Sequence, residues 1–335
     1  MALFATAALA PLPLLAAGVW LGGPWVLAGL VYMTLFAALL DQAMPFVAPE
    51  VPDGHEFPAA NALLVVLALA HLMALPLAVR AIAGADGFWE GAALFFGFGL
   101  FFGQVSNPMA HELIHRSNRV LFWLGAAVYI SLLFGHHTSA HRLVHHRLAA
   151  SLHDPNTARR GEGFYRFAIR AWVGSFRAGF AAETERRGAV LRGLHPYAVY
   201  LGGAALALML AALIAGPTGL VVWIALAAHA QSQLLLSDYV QHYGLLRAND
   251  KEGRLEPVAA RHSWNAPHWF SSRLMLNAPR HSDHHAHPAR PYPMLRLPGA
   301  EQAPRLPHSL PVSCAIALIP PLWRNIMHPC LARWR

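Results

Sequence analysis

Charge is what this chain most lacks. Of its 335 residues only 13% are Asp, Glu, Lys or Arg, while 56% are hydrophobic, against roughly 25% charged residues in an ordinary soluble domain. That balance excludes a water-soluble globule and points to a membrane protein. Cysteine is almost as scarce. Cys314 and Cys330 are the whole complement and form no CxxC pair, which removes thiolate zinc and iron-sulfur centres. With no rubredoxin-type cysteine pairs, no GxGxxG and no haem-attachment motif, electrons for any redox chemistry have to come from outside the chain. Basic residues are missing from the first third: of 25 Lys and Arg, Arg80 alone precedes position 115. The net charge of +8 is therefore no nucleic-acid footprint. Its concentration in 116–192 and 247–335 assigns those segments to the cytoplasm by the positive-inside rule.

What the chain has instead is apolar runs. A helix needs about 20 apolar residues to span hydrocarbon, and the candidates are 3–22, 24–40, 61–79, 91–109, 119–135, 197–216 and 217–236. The first lacks the positive start of a secretory signal and reads as a retained span. It pairs with the second across Gly22, Gly23 and Pro24, and the acidic, Pro-rich link 41–60 reads as a surface loop. If 119–135 crossed once, the histidine motifs flanking it would end on opposite faces, roughly 30 Å apart, so it is expected to be re-entrant or interfacial. The Arg-rich run 165–187 is expected to lie flat or in the cytosol, its arginines snorkelling or presenting a docking surface to an acidic redox partner. The expectation is an all-α, polytopic membrane protein, one domain over 1–335, with about six transmembrane helices. Its N-terminus and every histidine cluster then face the cytosol.

Histidine is the anomaly in excess, at 21 residues. HELIH occupies 111–115, HRLVHH 141–146 and HSDHH 281–285. On a helix, positions four apart share a face, so His111 and His115 can address one metal ion, as can His141 and His145, while His146 points toward a second. His281, His284 and His285 repeat the spacing. Neutral imidazole suits iron, copper or zinc, and the scarcity of carboxylates disfavours magnesium, calcium and manganese. HELIH alone is also the zinc-protease signature, with Glu112 as base. One catalytic zinc needs only three protein ligands, however, and would leave most of these imidazoles unexplained. A metal transporter would set its histidines along the spans, whereas these stand at or beyond span ends. His71 and His229, midway along apolar runs, are candidates for a functional role, against which stands the favoured reading of a neutral His bonded to a neighbouring helix. His136, His137, His153, His268, His287, His308 and His328 read as surface or polar-network residues.

The longer strings are more specific. HELIH is followed by AHRLVHH at 140–146 with Asp154 and Pro155, then SDYVQHYG at 237–244, HSWN at 262–265 and RHSDHHAHP at 280–288. In order and spacing, from about residue 107 onward, this resembles the integral-membrane alkane 1-monooxygenases, relatives of the membrane fatty-acid desaturases and of xylene monooxygenase. The resemblance implies two non-haem iron ions, held by His111, His115, His141, His145, His146, His242, His281, His284 and His285, with O2 as co-substrate and terminal hydroxylation of alkanes as the reaction. His242 enters through the resemblance alone. So do a separate rubredoxin and its reductase as electron donors, and the inner membrane as the location. His262 matches HSWN as a residue behind the ligands, and Glu112, Asp154, Asp238 and Asp283 are the carboxylates available to orient imidazoles. Ala140 and Gln241 depart from the pattern, standing where the family carries Glu. Substrate is expected in an apolar slot lined by the helices before His111.

Overall fold

The computed structural model describes residues 1–44, 51–52, 55–188 and 193–334, so part of the expected loop 41–60 lies outside the described residues. Within them the regular structure is helical, and extended pairing is limited to two isolated bridges, Asn249 with Leu255 and Asn265 with Arg305. Among the described residues five helices are long and apolar enough to cross a membrane: α1 (Ala2–Leu21), α2 (Gly23–Ala43), α3 (Pro58–Ala83), α4 (Phe88–Ile114) and a long helix Pro196–Gln241. The last leaves helical geometry at Ala215 and Gly216. Gly216 takes φ 58°, a left-handed value that glycine adopts without strain, and Pro217 opens the second arm. On a straight helix Tyr200 and Trp223 would be about 35 Å apart. Here Tyr200 meets Ser139 Oγ at 2.8 Å and Trp223 donates to the Ser131 carbonyl at 2.8 Å. The element is thus a hairpin of two arms, and with α1–α4 it makes the six crossings expected.

The segment between the first two histidine motifs settles their relation. Helix α5 (Arg119–Ser131) has 13 residues, about 20 Å of rise against roughly 30 Å of hydrocarbon. Asn118 caps it by accepting the Val120 and Leu121 N–H groups at 2.9 and 3.2 Å. It lies so close to α4 that a Cβ on Gly125 would come within 2.7 Å of Leu113 Cβ and 2.8 Å of the Ala110 carbonyl. The chain then turns at Leu133, φ 56°, and enters helix α6 (137–148) on the side it came from. The two motifs that it joins therefore meet, His111 Nε2 lying 2.8 Å from His141 Nε2, as a re-entrant or interfacial segment requires. Replacing Gly125 by Val should push α5 off α4 at about 1–3 kcal/mol, the usual cost of overpacking. A thermal melt of the purified protein would read this as a lower Tm, and an unchanged Tm would mean that α5 tolerates displacement.

Helix α7 (Phe164–Arg187) buries Phe164, Phe167, Ala171, Ser175, Gly179 and Glu183. This three-and-four stripe packs against its neighbours and leaves Arg166, Arg177 and Arg186 exposed. Counting the long hairpin as α8, four helices follow it: α9 (Trp269–Leu274), α10 (His281–Ala286), α11 (Leu310–Ala317) and α12 (Pro320–Ala332). Buried Asp41, at the end of α2, accepts the Phe270 and Ser271 N–H groups at 2.8 and 3.0 Å. That fixes the start of α9 and ties the first hairpin to the C-terminal region. The Pro-rich tail is more ordered than its composition suggests, since Trp323 of α12 packs its indole against Tyr239 and Tyr243.

Candidate metal centre

The three motifs converge. His111, His115, His141, His146 and His284 form one group and His145, His242, His281 and His285 a second, with the potential ligand atoms of each group within 4.8 Å of one another. In the first, His146 Nε2 lies 2.9 Å from His141 Nε2, 3.2 Å from His115 Nε2 and 3.1 Å from His284 Nε2. In the second, His281 Nε2 is 2.9 Å from His242 Nε2 and 3.0 Å from His285 Nε2.

The partition corrects the pairing expected from four-residue spacing. His141 shares its group with His146, five residues on, and His145 faces the other group. The reason is local: 141–145 is a π-helical turn, whose hydrogen bonds close at i+5 and whose wider turn brings position i+5 back over position i. On α10 (His281–Ala286) the ordinary spacing holds, so His281 and His285 share a group and His284 joins the first.

Donor chemistry supports cation binding. A neutral imidazole carries a single N–H, so one Nε2 facing three others cannot satisfy all of them by hydrogen bonding. Burial, reinforced by neighbouring imidazoles, holds His115, His141, His146, His281, His284 and His285 well below the ordinary histidine pKa, and burial takes His242 down to about 3. These are neutral side chains with lone pairs turned inward. Neither group includes a carboxylate among the described residues, and all-imidazole sets of this size fit two transition-metal ions.

The carboxylates behave differently from one another. Asp154 touches a cluster imidazole directly, accepting His145 Nδ1–H at 2.8 Å, and is itself held by Thr157 Oγ1 at 2.7 Å. Burial opposes a charged His145, but the Asp154 carboxylate raises its pKa above the ordinary value. Glu112 accepts from Arg116 at 2.9 Å and from the Tyr292 N–H at 3.1 Å, so it is committed to a structural link, unlike the free base a zinc protease needs. Asp238 accepts from Asn156 at 2.6 Å. Asp283 takes Arg290 at 2.7 Å and the Arg296 N–H at 2.8 Å, fixing the loop after α10. The His262 imidazole turns to Glu256 and the Ala259 N–H. Its neighbours bear on the cluster instead: Trp264 donates to the Tyr243 carbonyl at 2.9 Å, and Asn265 accepts the Ser282 N–H at 3.0 Å. Gln241 bonds Ser237 and the Ala278 carbonyl.

A cavity of about 250 Å³ opens onto the cluster. His111, His141, His281 and His284 form one end, and the walls come from α4 (Leu100, Gly103, Asn107), the second arm of α8 (Leu234, Leu236) and α11 (Pro311, Cys314, Ala315). The slot is thus lined only in part by the helix before His111. The α11 wall had no signal in the sequence, because nothing in a short apolar run marks what it packs on. His229 lines the cavity, whereas His71 is fully buried against Ser131 Oγ at 2.9 Å and Phe102, a packing role. His136 and His137 are buried, not surface residues. His137 packs against Phe134 and lines the cavity.

Comparison with known proteins agrees with this architecture. The profile of the family described as Fatty acid desaturase matches residues 87–312, the span that carries all three motifs. The chain belongs to the fatty acid desaturase family. This desaturase-family chain is 35% identical over 256 residues to an alkane 1-monooxygenase of Ectopseudomonas oleovorans, covering 73% of its own length and 61% of the relative's. It is 32% identical over 258 residues to alkane 1-monooxygenase 1 of Alcanivorax borkumensis, with 74% and 62% covered. It is 30% identical over 254 residues to the hydroxylase component of a xylene/toluene monooxygenase of Pseudomonas putida, with 69% and 62% covered. The desaturase-family chain spans about three fifths of the length of these relatives.

Proposed function

We propose that the protein is a non-haem di-iron monooxygenase that hydroxylates the terminal C–H bond of a membrane-dissolved alkane to give the 1-alkanol. The observation that carries this reading is the placement of nine imidazoles, in two carboxylate-free groups, at the end of a mostly apolar slot. The balance is R–CH3 + O2 + 2 e⁻ + 2 H⁺ → R–CH2OH + H2O. An iron pair, when bound, supplies the activation of dioxygen. The chain's own residues supply the rest. His111, His115, His141, His146 and His284 hold one ion, and His145, His242, His281 and His285 the other. Asp154 keeps the proton of His145 on Nδ1, so that Nε2 faces the metal. The apolar walls keep water away from the reacting carbon, and an alkane offers no hydrogen-bonding handle, so slot length and shape set selectivity.

Electrons come from a rubredoxin and its reductase, docking on the exposed arginines of α7, and the site faces the cytosol from the inner membrane. The test supplies membranes holding the protein with rubredoxin, reductase, NADH and a panel of alkanes, alkylbenzenes and fatty acids. The expected result is a primary alkanol, with about two irons per chain, as a pair of imidazole sites requires. Iron-loaded protein that oxygenates nothing counts against the proposal, an unsaturated fatty acid as product would make it a desaturase, and one zinc per chain would return the protease reading.

A further inference from the structure

The slot is not apolar throughout. His229 lies on the second arm of α8 (Pro196–Gln241), thirteen residues before His242, about 20 Å along the helix axis from the metal end. Its ring lines the cavity, sits between Phe95 and Phe96 with centroids at 5.5 and 5.7 Å, and lodges against Gly99, where a Cβ would stand 2.4 Å from it. Gln233, one turn on, donates to the Gly99 carbonyl at 2.8 Å and lines the same cavity. Helix α4 makes room for both polar side chains with Gly99 and Gly103. The Nε2 of His229 is nevertheless buried and has no hydrogen-bond partner among the described residues. Leaving it so in a hydrocarbon-depth site is costly, and an ionisable residue at that depth marks function. A saturated hydrocarbon in the slot would never satisfy it.

We propose that the slot takes a long-chain primary alcohol, its hydroxyl bonded to His229 Nε2 and its methyl end at the imidazole groups, and that the product is the α,ω-diol. The inference rests on the monooxygenase reading and extends its substrate class from the alkane to the primary alcohol. A hydroxyl suits the site because a neutral imidazole nitrogen can give or take one hydrogen bond. A carboxylate does not, because among the described residues no Lys or Arg lines the cavity to offset the burial of a charge. The reaction is HO–(CH2)n–CH3 + O2 + 2 e⁻ + 2 H⁺ → HO–(CH2)n–CH2OH + H2O. The terminal C–H bond breaks, a C–O bond forms to one oxygen atom, the other leaves as water, and an external one-electron donor protein supplies both electrons.

The experiment compares 1-dodecanol with n-dodecane in two readouts on the full chain: kcat/KM with donor proteins present, and equilibrium retention by protein in nanodiscs after subtracting empty discs. The expected result is that His229→Phe lowers the alcohol-to-alkane ratio about tenfold in both, the worth of one buried neutral hydrogen bond, and that His229→Gln restores much of it. A ratio that stays constant across these variants while either substrate is still oxidised overturns the subsite and leaves the monooxygenase reading standing. A ratio that falls in retention while neither substrate is oxidised supports the subsite and overturns the reaction. If the Phe variant does not assemble, His229→Met carries the same comparison, with the same outcomes deciding it.

Discussion

Replacing His284 by alanine is expected to abolish hydrocarbon oxidation while leaving the protein in the membrane at its normal abundance. His284 stands on the six-residue helix α10 and is the only residue of that helix in the five-imidazole group. Its ring meets those of His111 and His115 at 4.4 and 4.9 Å, and its Nε2 lies 3.1 Å from that of His146. Without it, that group keeps four imidazoles but loses the side that closes the end of the slot, where an ion would stand between protein and substrate. Outer partners of metal ligands alone cost about 10–100-fold in affinity or activity, and loss of a ligand should exceed that. The measurement pairs iron per chain, expected to fall from about two toward one because a single site is damaged, with product formation, expected to vanish. Insertion should not change, because α1–α4 and α8 supply the crossings and His284 belongs to none of them. Retained turnover would remove His284 from the ligand set.

Most of this centre was legible in the sequence, and what was not has specific causes. Spacing put His111 with His115, because the pair sits on an ordinary helical turn, and gathered His281, His284 and His285 without dividing them. It misassigned His145 and His146, because a π turn leaves no mark in the order of residues and the same string HRLVHH fits either geometry. His242 lies alone after a helix, so no periodicity could nominate it, and a resemblance of whole strings was needed. That 119–135 does not part the motifs followed from a distance argument: two motifs that serve one site cannot lie on opposite sides of a bilayer, and thirteen helical residues are too few to part them. The slot was only half legible. Its α4 wall precedes HELIH directly, but the α11 wall and His137 come from segments whose neighbours are fixed only by long-range packing.

The carboxylates show how the site differs from its family pattern, and Asp154 gives the second large effect. Among the imidazole nitrogens turned away from the two groups, those of His141, His146, His284 and His285 meet no hydrogen-bond partner among the described residues. The chain carries Ala140 and Gln241 where the pattern has Glu, and Gln241 is engaged elsewhere. His145 is the contrasting case, since its Nδ1 is held by a carboxylate that is 2% exposed and supported by Thr157 Oγ1 and the Asn156 N–H. Orientation of the four-imidazole group therefore leans on one acid. Replacing Asp154 by alanine frees the His145 ring to rotate, removes the charge that makes it more basic, and leaves buried donors on His145, Thr157 and Asn156 without an acceptor. The expected result is a loss of metal affinity of about 10–100-fold, confined to that group, so that a chelator titration of iron-loaded protein becomes biphasic with one ion leaving early. Thr157→Val, which removes one support but keeps the charge, should shift the titration much less. Equal effects from the two substitutions would mean that local packing around residues 154–157, and not the carboxylate on His145, sets the affinity.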